Sequence, residues 1–231
     1  MKKFFMLFVL MVMVLNYSMF AFASDTTLHK ENLGEEKFND FIDGLHFFVV
    51  DSEPVSILTC IDISDDNIIA LASGNGSESL ISFYDSVGAF KYSLSFYSAG
   101  NFGLEWEKDN IKIFFERGDY EVTINKAGEV LDIAVIDNVD DMRFIVDELY
   151  FSTKSVVNNN VYELKKNPMF LNKLSSGYSQ LLITDASGNT SVVCDVGKFQ
   201  AFETLCIIIV FVLLFVINVF FVLKRPFFKK Q

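Results

Sequence analysis

Apolar positions along the chain form one continuous run at each end and, between them, short alternating segments broken by polar turns. The first run covers residues 4–15 behind Met1-Lys2-Lys3, and a softer stretch leads to Ala21-Phe22-Ala23. A charged start, a 12-residue apolar core and a small-x-small site describe a secretory signal peptide over 1–23, cleaved after Ala23. The other reading is an uncleaved anchor over 4–23, although Asn16, Tyr17 and Ser18 interrupt it. The second run, 205–223, holds only Asn218 as a strongly polar residue. At about 1.5 Å per residue its length matches the roughly 30 Å of a hydrocarbon core. Lys224, Arg225, Lys229 and Lys230 follow at once. Basic residues on one flank of a span stay on the cytoplasmic side. The pattern therefore predicts one transmembrane helix, an eight-residue cytoplasmic tail over 224–231 and a domain outside the cell membrane.

In the N-terminal segment, 24–54, Phe38, Phe41, Ile42 and Leu45 recur at helical spacing opposite Glu35, Lys37, Asn39 and Asp40, predicting a short amphipathic helix. From 55 to 200 the texture is that of strands, with turn residues every 8 to 12 positions. In 89–96, Phe90, Tyr92, Leu94 and Phe96 alternate with Ala89, Lys91, Ser93 and Ser95, predicting a strand with one buried and one wet face.

Two turn signatures recur in the same order. One is a polar cluster before a β-branched residue, in Asp65-Asp66-Asn67-Ile68, Lys108-Asp109-Asn110-Ile111 and Asn158-Asn159-Asn160-Val161. The other places Gly three residues after Asp or Asn, at Asp85/Gly88, Asn125/Gly128 and Asp185/Gly188, which suits a hairpin turn with a left-handed glycine. The first and second glycines stand 40 residues apart, close to the period of a four-stranded propeller blade. Strands are expected near 55–63, 68–73, 79–84 and 89–97, then near 102–106, 111–116, 120–124 and 129–136. A third unit is expected from about 148 to 196, stretched by an insertion around 167–178.

On segments 81–88, 122–128 and 181–188 and their partner turns, the chain resembles the blade-type repeat proteins of the β-propeller kind found among uncharacterised exported bacterial proteins. The resemblance spans about 140 residues. It lacks the Gly-His and Trp-Asp pairs of one propeller class, and Trp106 is the only tryptophan. The fold it implies is mainly β, with three propeller-blade-like antiparallel four-stranded units. Propellers have four to eight blades, so three leave the array open or incomplete. A sandwich of hairpins, or two chains completing each other, are the other arrangements.

Charge and chemistry narrow the function. The chain carries −11, and −17 once the six basic residues of its two ends are set aside, which argues against a nucleic-acid partner. Cys60 and Cys194 fall in strand-like runs and form either one disulfide or two buried thiols, whereas Cys206 lies in the span. His29 and His46 have no second ligand at metal spacing, and neither a nucleophile elbow nor a phosphate loop occurs. Asn75-Gly76-Ser77 and Asn189-Thr190-Ser191 match a glycosylation sequon and read equally as turns. Asp132, Asp137, Asp140 and Asp141 lack calcium-loop spacing. No catalytic, cofactor-binding or metal residue is therefore named. The expected function is a non-enzymatic, membrane-anchored interaction module for a protein or peptide outside the cell. Asn218 hints at a membrane partner, or hydrogen-bonds its own helix. The alternative is an anchored hydrolase of cell-wall or extracellular carbohydrate, which needs carboxylates paired in a cleft.

Overall fold

A computed structural model describes residues 28, 30–32, 44–55, 57–74, 79–98, 100–137, 139, 143–175 and 177–224, with side chains as far as 218. The signal peptide, the helix expected around Phe38 to Ile42, His29, Asn75, Asp140, Asp141 and the tail beyond Lys224 lie outside these residues.

Two short strands, β1 (Lys30–Asn32) and β2 (Phe48–Val50), precede three antiparallel meanders. The first meander is β3 (Leu58–Ile63), β4 (Ile69–Gly74), β5 (Ser79–Tyr84) and β6 (Phe90–Phe96). The second is β7 (Phe102–Glu107), β8 (Asn110–Phe115), β9 (Tyr120–Ile124) and β10 (Val130–Ile136). Helix α1 (Arg143–Tyr150) leads to the third, β11 (Lys154–Val157), β12 (Asn160–Lys165), β13 (Gln180–Thr184) and β14 (Thr190–Asp195). Within it α2 (Phe170–Lys173) occupies the expected insertion, and α3 (Gly197–Lys224) follows β14 at once. The fold is mainly β, as the turn pattern predicts.

Both repeated turns are built as their residues dictate. Asn67, Lys108, Asn158 and Asn159 take positive φ in the first hairpin of their units. In the third hairpin of each unit the side-chain oxygens of Asp85, Asn125 and Asp185 each accept two backbone N–H groups, from the residues two and four positions on, at 2.8–3.1 Å. A side chain that mimics a backbone turn in this way fixes the hairpin locally.

The sequence pattern missed three features. β1 pairs with β10 and β2 with β6, so parts of the N-terminal segment close the outer edges of the second and first sheets. α1 stands where the third unit is expected to begin, which moves its first strand to Lys154. The expected wet face of 89–96 is covered in its middle, where Ser93 is buried and its hydroxyl meets Ser82 Oγ at 2.8 Å, while Ala89 and Lys91 are exposed as expected.

That last difference follows from layering. The first sheet lies between the other two. Ala70, Ala72, Ile81, Phe83 and Leu94 face Leu104, Ile113 and Val122 of the second sheet. Ile61, Ile69, Leu71 and Tyr84 face Tyr162, Leu181 and Ile183 of the third. A sheet covered on both faces has no polar alternation, hence the unbroken burial of β5. α1 packs Val146 and Tyr150, one helical turn apart, on Phe114 of the second sheet's far face. The far face of the third sheet leaves Val156 and Val192 exposed, and the array is open there.

Candidate functional site

The first strand of each unit is the inner edge of its sheet, and these edges converge on β3. Ile61 donates its N–H to the Ser152 carbonyl at 2.8 Å. Trp106 donates its N–H to Asp62 Oδ2 at 2.6 Å, tying β7 to the same strand. Burial holds the Asp62 carboxyl above its ordinary value, partly offset by the two N–H groups it accepts, from Trp106 and Ile63. At the beginning of β3, Leu58 exchanges two backbone hydrogen bonds with Tyr178 of the insertion, at 3.0 and 3.1 Å.

Around this junction the sheets part to leave a cleft of about 570 Å³. Leu58, Ile57, Phe102, Phe151 and Tyr178 give it apolar walls, with Thr59, Ser79 and Asn101 as polar groups. Gly74, Gly100 and Gly177 line it with backbone, and a Cβ at Gly177 would fall 1.8 Å from Ile57 Cγ2. Among the described residues no carboxylate, histidine, cysteine or basic side chain lines it. A concave, mostly apolar site of this size with a few hydrogen-bonding groups suits recognition of an apolar segment. Comparison with family models, with curated proteins and with solved structures finds no match. What the site does is therefore read from its geometry.

Its residues come from five separate segments and include no chemically distinctive type, so no motif marks them. The only sequence signal is glycine beside a strand boundary, at Gly74, Gly100 and Gly177. Cys60 and Cys194 lie elsewhere. Cys60 packs between the first and second sheets and Cys194 between the first and third, and both thiols are free. Burial pushes them up to about 12 and about 11, so neither is a thiolate at neutral pH.

The most elaborate polar cluster lies on the far face of the second sheet. Glu121 Oε2 sits 2.7 Å from Lys30 Nζ and also accepts the Tyr150 hydroxyl hydrogen bond, while Lys30 Nζ is 3.3 Å from that hydroxyl. Lys112 pairs with Glu107 at 2.5 Å, and burial raises the nearby Glu105 carboxyl against the pull of Lys112 and Lys30. These groups clamp β1 and α1 onto the sheet. They do not line the cleft.

The other flagged residues are in ordinary settings. His46 is exposed beside Phe48. Asp132 accepts the Ile133 N–H, and no group of metal-ligating residues forms among the described residues. Asn189 belongs to the Asp185 turn. Asn218 Nδ2 donates to Leu214 O at 2.9 Å, within its own helix. From Gly197 to Asn218, α3 is long and apolar enough to cross a membrane.

Proposed function

We propose that the chain is a membrane-anchored binding module whose open array of three blade-like sheets stands outside the cell and holds an extended apolar segment of a protein or peptide in the cleft beside β3. The carrying observation is the cleft itself, which among the described residues has apolar walls, three polar side chains and no ionisable group other than the Tyr178 phenol. Supporting it, α3 supplies a span, and its basic flank at Lys224 and beyond belongs in the cytoplasm by the positive-inside rule. The acidic domain disfavours nucleic acid.

The test is selection of a phage-displayed peptide library on the full chain in nanodiscs, followed by affinity measurement with Asn101→Trp. Asn101 is exposed at the rim, so a tryptophan there obstructs the cleft without entering the core. Selected peptides are expected to be apolar and to bind N101W at least tenfold more weakly. Equal binding to both proteins would remove the cleft from the account.

A further inference from the structure

The root of α3 carries an apolar patch that the folded domain does not cover. Asp195 ends β14 and Gly197 begins the helix, so sheet and span are joined almost without a linker. Gln200 and Ala201 are buried against the domain, whereas Phe199 and Phe202, three residues apart and hence on neighbouring positions of one face, are exposed. Beside them α2 is held tightly. A Cβ at Gly197 would lie 2.8 Å from atoms of both Asn167 and Asn172, and Asn172 is fully buried. Held so, the α2 segment turns Met169, Phe170 and Leu174 outward, with Phe170 73 % exposed.

Charge around the patch differs from the rest of the molecule. Residues 164–184 contain three lysines and no acidic residue, in a chain of net charge −11, and the acidic residues at the root of α3 are Asp195 and Glu203. Lys166, Lys173 and Lys198 are all exposed. Aromatic and aliphatic side chains with lysines among them are the composition of an interfacial membrane segment. Depth agrees. Phe202 lies about 5 Å above Leu205 along the helix axis, within the headgroup layer. A tilt of about 20° toward α2, within the ordinary range, would bring that side lower.

We infer that α2 and the first turns of α3 form a seat that inserts Met169, Phe170, Leu174, Phe199 and Phe202 into the headgroup layer of an anionic bilayer. The seat rests on the reading of α3 as a membrane span. It makes the domain a fixed attachment rather than a tethered one, holding the three sheets at a set angle to the lipid.

The full chain is placed in nanodiscs of phosphatidylcholine and phosphatidylglycerol carrying bromine either near the headgroup or deep in the acyl chain. Trp106 of the wild type supplies the background emission, and Phe170→Trp, Leu174→Trp and Leu213→Trp are each compared with it. The seat predicts that F170W and L174W lose emission to shallow bromine and L213W to deep bromine. Quenching of L213W without quenching of either F170W or L174W overturns the seat and leaves the span standing. An unquenched L213W overturns the span, and the seat with it.

Discussion

Gly128 and Gly188 close equivalent hairpins with φ of +84°, yet their surroundings differ. A Cβ at Gly188 meets nothing within 4 Å, whereas one at Gly128 falls 2.8 Å from Phe47 Cβ. Gly188→Ala should cost about 1 kcal/mol, the strain of a left-handed alanine. Gly128→Ala should cost at least about 1 kcal/mol more, because Phe47 must move. Thermal unfolding of the two variants side by side checks the difference, and equal losses would contradict the packing. Glu105 gives a pH signature. Its folded carboxyl titrates above the ordinary value because burial disfavours the charged form. The folded state therefore binds more protons than the unfolded one above the ordinary glutamate range, and stability falls as pH rises through that window. Glu105→Gln removes this loss, so it should raise the unfolding midpoint more at pH 7 than at pH 4. A lower midpoint at pH 7 would mean that Lys112 and Lys30 outweigh burial. With Cys60 and Cys194 free and buried, maleimide should modify neither in the native protein and both after unfolding without reductant. Failure of both to react after unfolding would restore the disulfide.

The edge strand β1 and helix α1 are both tied to the second sheet by one part-buried ion pair. Lys30 of β1 and Tyr150 of α1 both bind Glu121 of β9, whose side chain is only 5 % exposed. Lys30→Met leaves that carboxylate with the Tyr150 hydroxyl alone and should cost about 2 kcal/mol. Adding Glu121→Leu should recover much of the loss, which a double-mutant cycle by denaturant unfolding measures. The hairpins were legible because their cause is local. Asp85, Asn125 and Asp185 make the turn with their own side chains, wherever the strands go afterwards. Layering was not legible, because burial of Ser93 depends on β5 and on the Ser52 carbonyl that accepts its hydroxyl hydrogen bond, 41 residues away. α1 escaped notice for a related reason. Its apolar residues Phe144, Ile145, Val146, Leu149 and Tyr150 resemble a strand run, and only Gly103 beneath Tyr150 makes room for a helix there.

At the scale of the whole molecule, three sheets stacked with the first in the middle leave one cleft at their convergence and one open face on the third. Neither was visible in the sequence, since the cleft gathers Ile57, Phe102, Phe151 and Tyr178 from distant segments without a shared pattern. The helix long and apolar enough to cross a membrane was visible, because length and apolarity are read directly from sequence. Everything proposed for the cleft assumes that the sheets stand outside and the basic tail inside. Intact cells expressing the full chain, treated with a membrane-impermeant amine-reactive biotin and analysed by mass spectrometry, test that directly. Lys91 and Lys154, both exposed on the sheets, should label on intact cells, while Lys229 and Lys230 should label only after the membrane is opened. Labelling of Lys229 and Lys230 on intact cells, with Lys91 and Lys154 protected, would contradict the account.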